Sequence, residues 1–481
     1  VEPASDGYPT NTILPGQQQT TYYPNNQVAG TLWYHDHALG ITRLNVMMGL
    51  AGFYLLFDPA EASLNLPSGE FEIGLAIQDR SFHNDGSLKY PEMWMDHFFG
   101  DVVLVNGKVW PYLNVKQGKY RFRMLEGSNS RSYTLTLSNG APFTIIGTEG
   151  GLLPAPVVKT ELTMTPGERF DVVIDFASYP AGTEIILQNS APAPFPGTPG
   201  EGVVPNVMKF IVVGEPGHTD PIPATLVTVD PIPESEAVQH RDLVLSKMSD
   251  PCTGSVWMIN GKHFADPIDE FPKLGSAEVW RFVNNSGAVH PMHLHLTMFQ
   301  ILDRQSFVMV GDSVVTAGDP IPPEPYEAGW KDTAPVYPDQ VLRVICRFED
   351  YLGKYPYHCH VLEHEENDMM RQFEVVLDTT ATAVKPVPAK LALRQSYPNP
   401  SNPSTRIEFS IPVAATVQLR IFDVRGKLVA TLVDRYVPAG SQFVEWNGRG
   451  DNGNGVPSGV YLYRLTVPGQ ATLTRKLVLL K

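Results

Sequence analysis

Residues 357–371 read YHCHVLEHEENDMMR, a lone cysteine between two histidines with His364 and Met369 close behind. Side chains alternate between the two faces of an extended chain, so His358 and His360 face one way and Cys359 the other. One short strand then serves two metal sites, back to back. A thiolate, two imidazoles and a distant thioether are the ligands of a blue-copper electron-transfer site. Met369 fits the thioether and His364 one imidazole; His290, on the face opposite His293 or in the turn before it, fits the other. Zinc also takes cysteine and histidine, but a lone cysteine with a methionine five residues beyond His364 suits it poorly. This reading requires a strand here.

Working outward, eight of the thirteen histidines fall into three tight clusters. The other two clusters are Trp33-Tyr34-His35-Asp36-His37 and His290-Pro291-Met292-His293-Leu294-His295. Each H-x-H pair on a strand presents two imidazoles to one metal cluster. His83, His97, His218, His240 and His263 stand alone and read as core or surface residues rather than ligands. Met93, Met95 and His97 alternate; they read as a buried strand face rather than a soft copper-binding strip. Cys252 and Cys346 have no ligand-rich neighbours and read as inert buried thiols.

The rest of the chain supplies strands throughout. Helix-period segments are scarce, and strand-like runs bounded by Gly, Pro, Asn and Asp recur. Val102–Val105, Asn106-Gly107 and Val109–Tyr112 read as a hairpin, and Tyr120–Leu125, Phe170–Phe176, Val279–Val283 and Val341–Phe348 continue the pattern. The 40 Gly and 43 Pro fit many short strands joined by turns. The expected fold is all-β: tandem β-sandwiches, with a further small sandwich at the C-terminus, where Ile407, Phe409 and Ile411, then Val417, Leu419 and Ile421, alternate with polar residues.

Composition excludes several classes. With 36 Lys+Arg against 51 Asp+Glu the net charge is −15, which argues against nucleic-acid binding. The longest nearly unbroken apolar run, Met47 to Phe57, is too short to span a bilayer. Three cysteines cannot build a disulfide framework. The charge is uneven: residues 379–481 hold 13 basic and 5 acidic residues, a balance of +8, and residues 1–378 carry −23. The shift coincides with TTATAVKPVP at 379–388, which reads as a linker. The expected organisation is 1–60, 61–214 and 241–378 as three sandwiches, with linkers at 215–240 and 379–394 and a separate module at 395–481.

These motifs resemble the multicopper oxidases, in particular the bacterial spore-coat laccase and bilirubin oxidase group. The resemblance runs from about Ser5 to Leu377, on SDGYP at 5–9, TLWYHDHALGITRLNV at 31–46, LVNGKVWPYL at 104–113, HPMHLHL at 290–296 and the 357–371 stretch. It implies cupredoxin-type sandwiches and four coppers in the complete protein. His290, Cys359, His364 and Met369 would hold the type 1 copper. His293 matches a type 2 ligand, and His35, His37, His295, His358 and His360 match type 3 ligands. Asp6 and Glu365 match acidic residues beside the copper cluster, where carboxyls with raised pKa suit proton delivery. The family places a further H-x-H pair just before the S-D-G segment, and the chain begins at Val1. The expectation is therefore a first sandwich lacking its N-terminal part, with one type 2 and one type 3 ligand absent from the sequence.

The tail resembles the C-terminal sorting domain of type IX secretion cargo, on QSYPNPSNPSTRIEFSIP at 395–412, IFDVRGKLVATLVD at 421–434 and WNGRGDNGNGVPSGVYLYRL at 446–465. It implies export, by secretion machinery, to the cell surface or medium. The Asp451–Gly455 loop fails the EF-hand spacing and reads as a tight turn. The function these resemblances imply is a secreted laccase-like oxidase that takes single electrons from phenolic or aromatic reductants and reduces dioxygen to water. Alternatives are an oxidase of Cu(I) or Mn(II), drawn to the acidic body, and a copper-binding surface protein without oxidase activity.

Overall fold

The computed structural model describes residues 1–250, 254–311, 313–377, 391–412, 415–437, 440–468 and 472–480. Cys252 and most of the expected linker at 379–394 lie outside these residues. The chain divides into two compact units, Val1–Asp378 and Thr379–Lys481. The regular structure of the described residues is nearly all strand; the only α-helices among them are Thr42–Met47 and Leu362–Glu365. None is long and apolar enough to cross a membrane.

The first unit opens with a two-stranded antiparallel ribbon, Gly30–His35 against Ala51–Leu56, with the short helix between them. A sandwich follows, a seven-stranded sheet packed on a five-stranded one. Its core is the inward-facing set that includes Phe122, Tyr133, Ile145, Phe170, Val172 and Phe210. A second sandwich packs a six-stranded sheet on a four-stranded one around Trp280, Phe282, Val344, Tyr357 and Phe373. That four-stranded sheet positions the metal ligands. Its order is Thr333–Val336, His290–Leu294, Gly353–Cys359, Met370–Val375, all antiparallel.

The expected hairpin forms with a shorter second arm. Asn106 and Gly107 both take positive φ, as a two-residue hairpin turn requires, and the arm after the turn is only Lys108–Val109, paired with Leu104 and Val105. Trp110 also takes positive φ, and the chain crosses to the other sheet as Tyr112–Gln117. Met93 and Met95 are not a buried strand face. Residues 91–99 form no strand, and the two methionines are 81% and 54% exposed.

The second unit is a small sandwich of a three-stranded and a four-stranded sheet. Ile407, Phe409, Ile411, Val417, Leu419 and Ile421 all point into its core with Trp446 and Tyr463, as their alternation required. In the Asp451–Gly455 loop, Asp451 Oδ1 accepts from the Thr431 backbone N–H at 2.8 Å, and Gly453 N–H donates to Gly450 O at 2.9 Å.

Candidate metal centre

Strand register builds the centre. Met292 pairs with Cys359 and His293 with His358, so alternation sends Cys359 to one face and His293 with His358 to the other. On the Cys359 face, its Sγ lies 3.4 Å from His290 Nδ1 and 3.6 Å from His364 Nδ1, and the two nitrogens are 3.2 Å apart. All three residues are fully buried. Helix Leu362–Glu365 turns His364 back onto the strand, and Met369 follows it. Met369 is fully buried, its carbonyl accepts from Cys359 N–H at 3.0 Å, and its N–H donates to His364 O at 2.9 Å.

On the other face, His37, His295 and His358 converge. His358 Nε2 lies 3.1 Å from His37 Nε2 and 3.3 Å from His295 Nε2. These three imidazoles form one group with metal-binding spacing, and His290, Cys359 and His364 form the other. His35, His293 and His360 complete the ring: His35 and His293 stand 5.4 and 5.8 Å from His360, centroid to centroid. Trp33 lies over His35 at 4.5 Å and close to His360 at 5.3 Å. Every histidine singled out in the three motifs is therefore in one of two neighbouring clusters.

The outward nitrogens are held as metal-ligating imidazoles usually are, by carboxylates and carbonyls. His295 Nδ1 meets Asp6 Oδ2 at 2.8 Å, and His35 Nδ1 meets Asp36 O at 2.8 Å. Glu365 lies between two motifs, with Oε2 3.0 Å from His358 Nδ1 and Oε1 3.6 Å from His37 Nδ1. The two carboxyls differ in charge state. Burial raises Asp6 to about 6. Burial alone would also raise Glu365, but the imidazoles of His358 and His37 hold it down at about 2. The expectation of raised pKa holds for Asp6 and fails for Glu365, because Glu365 sits between two imidazoles.

Sequence reading missed the ionic frame behind the centre. His293 Nδ1 lies 2.9 Å from Asp332 O and 3.1 Å from Thr333 Oγ1. The Asp332 carboxylate takes both guanidinium N–H groups of Arg169, at 2.8 and 2.5 Å, and Arg169 also donates to Thr31 O at 3.0 Å on the strand that ends in His35. Lys331, fully buried, donates to Glu149 at 2.9 Å and lies 3.2 Å from Glu168. Arg169 holds Asp332 well below the ordinary carboxylate range against the opposing effect of burial. Glycine is required nearby: Gly167 has φ +85°, and a Cβ there would sit 2.5 Å from His360 Cδ2.

The donors suit copper. Burial pushes His37, His295, His360 and His364 well below the ordinary imidazole range and His290 to about 3, so their lone pairs are free. His360 Nδ1 is buried with no hydrogen-bonding partner among the described residues. The Cys359 thiol is pushed far up by burial, and a bound cation supplies the charge that lets it ionise.

Of the lone histidines, His83, His240 and His263 are exposed, and His263 pairs with Asp368. His97 departs from the expectation, because its Nε2 lies 3.1 Å from His364 Nε2. Cys346 is buried in the core of the second sandwich, as expected of an inert thiol.

Comparison with known proteins agrees with this geometry. Multicopper oxidase family profiles match residues 2–61 and 238–378, and an FlgD Ig-like domain profile matches 401–470. A laccase from Bacillus subtilis (strain 168) is 40% identical over 401 residues, covering 77% of each chain. The crystal structure of a laccase from Pediococcus acidilactici Pa5930 superposes with a TM-score of 0.67 at 33% identity, over 78% of this chain and 76% of that one. A multicopper oxidase from Campylobacter jejuni, described as a metallo-oxidase, superposes with a TM-score of 0.63 at 25% identity, over 78% of each chain.

Proposed function

The chain belongs to the multicopper oxidase family, a copper oxidase joining a reductant to dioxygen, and from that premise we propose a secreted laccase-like enzyme acting on phenolic or aromatic reductants. The carrying observation is Cys359. Its sulfur belongs to the His290–His364 site while its two peptide neighbours belong to the histidine cluster. Copper, when bound, supplies one-electron chemistry at the thiolate site and dioxygen reduction at the cluster. His290, Cys359, His364 and Met369 would hold the first; His35, His37, His293, His295, His358 and His360 would hold the second.

The residues themselves bind, orient and move protons. Reducing dioxygen to two waters takes four electrons and four protons. Asp6, raised to about 6 and paired with His295, holds a proton near the cluster in mildly acidic solution, below about pH 6, and gives it up as the pH rises past that value. Glu365 is ionised and, 3.0 Å from His358 Nδ1, orients that ring with its proton on Nδ1, while the His37 ring lies beside it at 3.6 Å. Glu365→Gln should slow turnover about 10–100-fold, as loss of a carboxylate that orients a metal-ligating imidazole does. Reduction of the blue site by substrate should stay fast, since it precedes the proton-dependent chemistry. Stopped-flow bleaching of the blue band against steady-state oxygen uptake measures both, and an unchanged turnover number would make Glu365 a bystander.

Steady-state oxygen uptake with a phenol, Cu(I) or Mn(II) as donor tests the substrate class. The proposal requires phenol to give the highest kcat/KM. The metal-ion alternative has support of its own: the first 378 residues carry −23, Met93 and Met95 are exposed four and two residues before His97, and the Campylobacter jejuni relative is described as a metallo-oxidase. The resemblance of residues 395–481 to a sorting domain supports export to the cell surface or medium. Removing that segment should keep the enzyme out of the medium in a host with type IX secretion, and unaltered export would refute it.

A further inference from the structure

Neither imidazole of the thiolate site reaches solvent: His290 and His364 are both fully buried. A reductant therefore cannot touch either ring directly. His364 Nδ1 faces Cys359 Sγ and His290 Nδ1, which leaves Nε2 as its outward nitrogen. That atom is covered by His97 Nε2 at 3.1 Å, with the rings 4.7 Å apart and nearly perpendicular. One face of His364 is closed by Trp257, stacked at 4.1 Å.

We propose that His97 is the outer half of an imidazole pair: it accepts a hydrogen bond from His364 Nε2–H and is the group a phenolic reductant meets. The proposal rests on the laccase-like reading above. Two facing ring nitrogens bond only when one of them carries the proton. A neutral imidazole that gives Nδ1 to a metal keeps its proton on Nε2, so His364 donates and His97 accepts. His97 then carries its own proton on Nδ1, which meets no protein partner among the described residues. That N–H is a donor for a phenol oxygen. The ring is half-buried and stacks on Phe99 at 5.4 Å. A phenol oxidised there loses one electron, which passes inward to reduce Cu(II) to Cu(I), and one proton, which leaves to solvent.

His97 is held in place on both sides. Tyr90 OH donates to Glu363 Oε1 at 2.7 Å, and Trp94 Nε1 donates to the Glu363 carbonyl at 2.9 Å, tying the segment to the helix that carries His364. Asp96 accepts from Lys247 Nζ at 2.6 Å and from Trp257 Nε1 at 3.1 Å. Phe98 N–H donates to Ser130 Oγ at 3.1 Å. Such anchoring is what a residue that orients a metal ligand needs.

An acceptor on the outer nitrogen makes His364 a more basic ligand, which favours the oxidised metal. The copper-loaded full chain is compared with His97→Phe, His97→Ala and His97→Gln by redox titration of the blue band and by kcat/KM for a methoxyphenol. In His97→Phe and His97→Ala the equilibrium constant for reduction should rise about tenfold, which is about 59 mV for a one-electron couple. Phenol kcat/KM should fall tenfold or more. His97→Gln, whose amide oxygen can still accept, should stay within threefold of the parent in that equilibrium constant. A blue His97→Phe or His97→Ala protein with the parent's potential would overturn the proposal alone. A parent chain that binds copper without a blue band would overturn the laccase-like reading, and this proposal with it.

Discussion

Replacing Cys359 by serine should leave the copper-loaded protein colourless and without oxidase activity. The Cys359 sulfur is the one thiol within reach of His290 and His364, at 3.4 and 3.6 Å, among the described residues. The blue colour of such sites comes from the copper–thiolate bond, which a serine oxygen does not reproduce. Serine is close in size, and the backbone bond from residue 359 to Met369 O does not involve the side chain, so the fold should persist. The histidine cluster keeps all its imidazoles. The visible spectrum, copper content and oxygen uptake of the variant decide the matter, and a blue Cys359→Ser protein would sink the assignment.

The second large effect is expected at Asp332. Asp332→Asn keeps the shape but leaves the Arg169 guanidinium, itself buried, without its carboxylate. Breaking one partner out of a buried ion pair costs about 3–5 kcal/mol, because the remaining charge is uncompensated. His293 also loses the carboxylate charge 3.5 Å from its Nδ1, and such losses lower metal affinity about 10–100-fold. Denaturant unfolding of the apo-protein should show a lower midpoint, and equilibrium dialysis a weaker copper uptake. Arg169→Met on top of Asp332→Asn should recover part of the lost stability, since removing both charges is far less costly than removing one. No loss of stability in the single variant would show that the pair is dispensable.

The ligands were legible in sequence because metal chemistry restricts residue type and strand geometry restricts spacing. H-x-H and H-C-H on strands can be read one residue at a time, and the structure gathers the side chains of the eight histidines and Cys359 into two adjacent clusters, with the Met369 backbone bonded to Cys359 and His364. The tail's alternation was legible for the same reason: a period of two has one outcome on a half-buried strand. What escaped has long-range causes. His97 lies 267 positions from His364, and nothing in its own neighbourhood marks the contact. Met93 and Met95 alternate like a strand, yet hydrogen bonds from Tyr90 and Trp94 to Glu363 fix that segment as a loop with both methionines outside. Glu149, Arg169, Lys331 and Asp332 look like surface charges in a sequence. Only the packing of one sandwich on the next makes them a buried frame. Glu365 was expected to be a raised carboxyl; that expectation weighed burial without the two imidazoles beside it.

Cys359 is joined by one peptide unit to His358 and by one to His360, so the gap between the two sites is set by covalent bond lengths. The segment that meets the reductant is a surface loop, anchored but free of strand pairing. Seen as material for evolution, the molecule keeps its conductor and its adaptor apart. Residues 91–99 can be rewritten by insertion or substitution, changing which donor is accepted, while the distance an electron travels to oxygen stays constant.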